Sequence, residues 1–187
     1  MTTRDIVLVA LFAAITVVLG LIPPVTLGFI PVPITAQSLG PMLAGCILGA
    51  RRGAASMLLV ILLVAIGLPV LSGGRGGLGV FAGPTAGYLV GWAVGAWVCG
   101  LIAERLVREG QKEILQLGAF LVAAIVGGIL VNYILGVSWL AYMSGKAFLE
   151  VSLASTLFLP GDLIKAGIAA LAGRAVLAGY PLLPQRA

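Results

Sequence analysis

The stretch PTAGYLVGWAVGAWVCGLIAERL, residues 84–106, carries no charge before Glu104. A helix needs about 20 mostly apolar residues to cross a bilayer, and this run supplies them with only Glu104 and Arg105 at its far end. Glycines at 83, 87, 91 and 95 recur every fourth residue. In lipid such a row lets neighbouring helix backbones approach closely, so the segment reads as a spanning helix that packs inside a bundle.

Outward from it, prolines, glycines and charges divide the chain into five further apolar segments. They run from Thr3 to Ile22, Gln37 to Ala50, Gly53 to Leu68, Ile114 to Val137, and Pro160 to Leu177. The 187-residue chain is 61% hydrophobic and 9% charged, against roughly 25% charged in a soluble domain. Blocks rather than alternation exclude a transmembrane β-barrel. The expected fold is an all-α, polytopic, six-transmembrane-helix bundle, a single membrane-embedded domain over residues 1–187. Ile6 to Ile22, behind Arg4, ends in Gly-Leu-Ile-Pro-Pro without a small-x-small cleavage site and reads as a retained first helix. Ser138 to Leu159, with mixed aromatic and charged residues, reads as a short helix at the membrane surface.

The net charge of +5 is distributed for topology, not for nucleic acid. Six crossings place both termini on one side. Arg4, Arg51, Arg52, Arg105, Arg108, Lys112, Arg174 and Arg186 fall on that side, against Arg75 and Lys146 on the other. By the positive-inside rule both termini are cytoplasmic, and the proline-rich connection 23–36 and the glycine-rich connection 69–83 face outward. Irregular backbone at membrane depth persists only where it is buried or lines a cavity, so these connections are candidate walls of a binding site.

Asp162 and Lys165 are the only charges well inside a predicted span, one helical turn apart. Ionisable groups there are costly and mark function by default. They either pair structurally or offer a cation and an acceptor to an amphipathic acid with amide-like donors. Thr35, Gln37 and Ser38 introduce the second helix as caps or as ligand contacts. Gly77, Phe81, Thr85 and Tyr88 add adaptable backbone, aromatic surface and hydroxyls. Asn132 lies mid-span as a packing residue or a ligand contact. Ala10 and Ala14 form a small-residue pair suited to a helix interface. With no histidine and two cysteines inside separate apolar segments, neither a zinc site nor a disulfide framework is expected. Around Gly145-Lys146, Leu140 and Ala147 stand where a phosphate loop needs glycine and Ser or Thr, so no ATP site or other cofactor is expected on this chain.

Four motifs in order, Val-Pro-Ile-Thr-Ala-Gln (Val32 to Gln37), Gly-Leu-Pro-Val (Gly67 to Val70), Phe-Ala-Gly-Pro-Thr-Ala-Gly-Tyr (Phe81 to Tyr88) and Leu-Pro-Gly-Asp-Leu-Ile-Lys (Leu159 to Lys165), resemble the biotin-specific S components of energy-coupling factor (ECF) vitamin transporters, the BioY family. The resemblance implies a non-enzymatic subunit of the bacterial cytoplasmic membrane that takes biotin from outside. Its implied partners are a transmembrane T component and two ATP-binding subunits. On this sequence it implies that Asp162 holds the ureido ring, that Lys165 engages the carboxylate or a neighbouring polar group, and that Gly77 to Tyr88 line the bicyclic head. It further implies that Ala10 and Ala14 meet the T component. Arg75 stands in the third-to-fourth connection where some relatives have asparagine. The competing expectation is a proton-coupled carrier working alone through Asp162; a lipid enzyme lacks the paired acids, metal cluster or nucleophile it would need.

Overall fold

The computed structural model describes residues 1–26, 28 and 31–184. Among the described residues there are eight α-helices: α1 (Thr3–Leu19), α2 (Leu39–Leu48), α3 (Ala50–Ala65), α4 (Ala86–Leu106), α5 (Glu113–Ala123), α6 (Asn132–Ser144), α7 (Phe148–Ser155) and α8 (Leu159–Gly179). A π-helical segment, Ala124–Val131, joins α5 to α6, and a 3-10 turn, Thr156–Phe158, joins α7 to α8. Six helical stretches result, as expected. Three of them, Ala86–Leu106, Glu113–Ser144 and Phe148–Gly179, are long and apolar enough to cross a membrane. Among the described residues β-structure is limited to two isolated bridges, Val25 with Ile34 and Leu71 with Arg75.

Local chemistry sets the boundaries. Thr2 and Asp5 cap α1 reciprocally, Asp5 N–H donating to Thr2 Oγ1 (3.3 Å) and Thr2 N–H to Asp5 Oδ2 (2.8 Å). The prolines that follow Gly20 stop the helix, and the Val25–Ile34 bridge folds the proline-rich connection back on itself. Gly49, at φ +82°, makes the whole turn between α2 and α3. The third helix therefore starts at Ala50 rather than at Gly53. Pro160 lies in the first turn of α8, where its missing N–H is harmless.

The predicted surface helix is corrected. The fifth helical stretch continues to Ser144, Gly145 turns the chain in the left-handed region (φ +65°), and α7 runs into α8 through the 3-10 turn. Ser138 to Leu159 is thus shared between two long helices. Apolar residues such as Leu140, Val151 and Phe158 pack there against Tyr88 and Val32, which holds the segment in the bundle.

Helices α2 and α4 form the centre. Met42, Ala44, Cys46, Leu48, Ala96 and Cys99 are fully buried. The glycine row of α4 serves the predicted packing: a Cβ at Gly87 would strike Trp139, at Gly91 Asn132, and at Gly95 the carbonyl of Gly127. Gly45 likewise packs on Cys99, bringing the Cys46 and Cys99 thiols to 3.5 Å, both free. Ala10 and Ala14 behave differently and lie exposed on α1.

Basic residues gather at one end of the bundle, where Asp5 pairs with Arg52 (2.7 Å), Glu113 pairs with Arg174, and Arg4 lies over the Tyr180 ring (5.2 Å). Arg186 lies outside the described residues.

Candidate functional site

A cleft of about 660 Å³, open mouth included, lies between the two irregular connections, the 3-10 turn Ala36–Ser38 before α2, and α4, α6 and α8. Its polar residues fall into two groups, one carried by helices and one by the α3–α4 connection.

The first side belongs to the helices. Asp162 and Lys165 share one face of α8 and pair at 2.7 Å. Lys165 Nζ also donates to Ser38 Oγ (2.9 Å), at the end of the 3-10 turn before α2. Tyr133 of α6 donates its hydroxyl to Asp162 Oδ2 at 2.7 Å. Ser38 Oγ lies 3.4 Å from Asp162 Oδ1 and 3.3 Å from the Thr35 carbonyl. Asp162 is only 7% exposed, so this lattice is what makes its charge tolerable in the bundle. Charge at this end is compensated: one carboxylate, one ammonium, two hydroxyls.

On the second side stands the connection between α3 and α4. Leu71 and Arg75 exchange backbone hydrogen bonds, N–H to O at 3.0 and 3.2 Å, around Gly73 and Gly74, both in the left-handed region. This hairpin presents Arg75, whose Nε donates to the Ser72 carbonyl (3.2 Å) and whose Nη1 donates to Thr85 Oγ1 (3.3 Å). Among the described residues no carboxylate pairs with it. Partial burial pulls its pKa down, but from a reference so high that it stays cationic. The cleft therefore holds one unneutralised positive charge.

Among the described residues three buried polar atoms of the site lack a hydrogen-bond partner: Ser72 Oγ, Tyr88 OH and Asn132 Oδ1. All three residues line the cleft. Buried polar groups are nearly always satisfied, and atoms left open around one cavity point to a ligand with complementary groups. The apolar lining includes Leu71, Leu89, Trp92 and Phe158, and Tyr88 and Tyr133 meet edge to face at 6.4 Å.

Of the residues singled out from sequence, Thr35, Gln37, Thr85, Tyr88, Asn132, Asp162 and Lys165 come together around this cleft. Gly77 and Phe81 do not line it. Gly77, at φ +87°, turns the connection and donates its N–H to the Val64 carbonyl (2.8 Å), while Phe81 packs against the bundle core. Gln37 reaches the cleft wall, but both ends of its amide are engaged. Nε2 donates to the Val70 carbonyl (2.8 Å) and Oε1 accepts from Ser72 N–H (3.0 Å). Sequence reasoning missed Arg75, Ser72, Tyr133 and Trp92 as lining residues. Arg75 had a usable signal, being one of two cations away from the basic end; Tyr133 had none. Among the described residues no group of three metal-binding side chains occurs.

A multi-pass helical membrane bundle with a polar, net-cationic cleft beneath one end is a membrane-embedded receptor for a small ligand. The chain belongs to the BioY family, whose sequence profile matches residues 1–182. It is 63% identical over 187 residues, the full length of both chains, to the biotin transporter BioY of Rhizobium etli. To the biotin transporter BioY of Rhodobacter capsulatus it is 49% identical, with 92% of this chain and 93% of the relative covered. The crystal structure of the S-component for biotin from an ECF-type ABC transporter superposes with a TM-score of 0.87 at 31% identity, covering 95% of each chain.

Proposed function

We propose that this protein is the biotin-capturing S component of an ECF-type uptake transporter, with no catalytic activity of its own. The reading is carried by one observation: open hydrogen-bonding atoms and an unneutralised Arg75 face a single cleft, in a chain closely related to biotin transporters. Biotin supplies what such a cleft lacks. Its carboxylate suits Arg75 and its ureido N–H groups suit Asp162, while its fused rings suit the surface of Tyr88, Trp92 and Phe158. This modifies the expectation for Lys165. Already tied to Asp162 and Ser38, it has one N–H left for a ligand and steadies the acceptor end.

The protein sits in the bacterial cytoplasmic membrane with its termini and basic end inside and the cleft toward the outer face. A T component and two ATP-binding subunits complete the transporter, and ATP is consumed by those partners. The exposed Ala10 and Ala14 on α1 support a helix-docking surface there, since small residues facing outward on a membrane helix do no packing within their own bundle.

Equilibrium binding of radiolabelled biotin to the purified protein without nucleotide tests the proposal. One saturable biotin per chain is expected, and absence of saturable binding overturns it. Uptake by the chain alone that collapses with the proton gradient would instead indicate the proton-coupled carrier.

A further inference from the structure

Gln37 lies in the cleft wall with no exposed surface, yet its amide turns to the α3–α4 connection. It donates to the Val70 carbonyl and accepts from Ser72 N–H, two backbone groups on either side of Leu71. A side-chain amide placed this way does the work of a neighbouring strand. The hairpin it holds is the one that aims Arg75: Leu71 pairs with Arg75 through the backbone, and the Ser72 carbonyl accepts from the guanidinium. A second, mostly apolar recess of about 670 Å³ borders the same segment, lined by Gly20, Leu21, Pro24, Pro69, Val70 and Gly73. Leu71 itself is anchored in the bundle core, so the amide clamp fixes the backbone on either side of a held side chain. Gly20, at the end of α1, seats the clamp from below. A Cβ there would lie 2.7 Å from Gln37 Nε2 and 2.9 Å from its Cδ.

We infer that Gln37 is a positioning residue that sets affinity for the ligand's carboxylate through Arg75, and that Gly20 links the state of α1 to that clamp. This rests on the proposed biotin-binding role.

The test uses full-length protein in detergent, as wild type, Gln37→Leu, Gly20→Ala, Arg75→Met and Gln37→Leu/Arg75→Met. Hydrogen–deuterium exchange without ligand comes first. Faster exchange confined to the 70–77 segment is expected in Gln37→Leu and Gly20→Ala, with the amides of α2, α4 and α8 unchanged. Affinities for biotin and for its neutral carboxamide come second. Loss of the aimed cation weakens biotin by about tenfold in Gln37→Leu, leaves the carboxamide within about threefold, and adds nothing on top of Arg75→Met. Unchanged exchange in the 70–77 segment overturns the inference, as does equal weakening of the two ligands. If wild-type protein binds neither compound, the biotin reading fails and the exchange arm still decides whether Gln37 holds the hairpin.

Discussion

The two ends of the cleft solve the problem of a charge in a membrane protein in opposite ways. On α8, Asp162 is matched by Lys165, Tyr133 and Ser38, each delivered by a helix or by the 3-10 turn that leads into one. On the α3–α4 connection, Arg75 rests on a carbonyl and a threonine hydroxyl, with no opposing charge among the described residues. The compensated end is part of what holds the bundle together, whereas the uncompensated end stores attraction for an anion that has yet to arrive. Substitutions at the first should therefore register in stability, and at the second in affinity.

The largest effect sharpens this contrast. Lys165→Met leaves the buried Asp162 carboxylate without its cation, and breaking a buried pair in this way is worth about 3–5 kcal/mol. A lowered melting temperature in ligand-free protein is expected; an unchanged one would break the distinction between the two ends. Next comes Arg75→Met, which should leave melting within a degree or two of wild type and weaken biotin by about 2–3 kcal/mol through loss of a charge-assisted bond. Calorimetric titration against biotin and its carboxamide separates this from general damage, since only the acid should suffer. Tyr133→Phe removes one hydrogen bond to a charged group and should lower stability by about 1.5 kcal/mol, read by thermal unfolding. The smallest change is Ser72→Ala. It deletes an open hydroxyl, so stability should hold or rise slightly while biotin affinity falls by about 0.5–1 kcal/mol.

Much of the fold was legible because lipid imposes simple demands. Apolar blocks of spanning length, the glycine row of α4 and the basic clustering follow from composition and spacing alone. The helix extending to Ser144 was not, since Ser138–Leu159 carries the polar and aromatic residues of an interfacial segment and is held by contacts from Tyr88 and Val32, distant in sequence. Asp162 and Lys165 stood out because charge is rare in a span. Arg75 was marked only by its position away from the basic end, and its weight in the site emerged once the fold showed that no acid among the described residues answers it. Gln37 was noticed for its type, but where its amide points depends on the Val70 and Ser72 backbone more than thirty residues away. Cys46 and Cys99 likewise lie far apart in the chain, and only the close packing at Gly45 and Gly127 brings their sulfurs together.

The π-helical winding from Ala124 to Val131 sits immediately before Asn132 and Tyr133. Its wider i→i+5 bonding takes up residues that an α-helix would count differently, and one residue corresponds to about 100° of rotation. The phase of the last half of that helix is therefore fixed by how many residues precede it as much as by which ones they are. Shortening the segment by a single position would let it close with ordinary α-helical bonds, so the wide winding absorbs a residue that would otherwise have to rotate the asparagine and the tyrosine off the cavity.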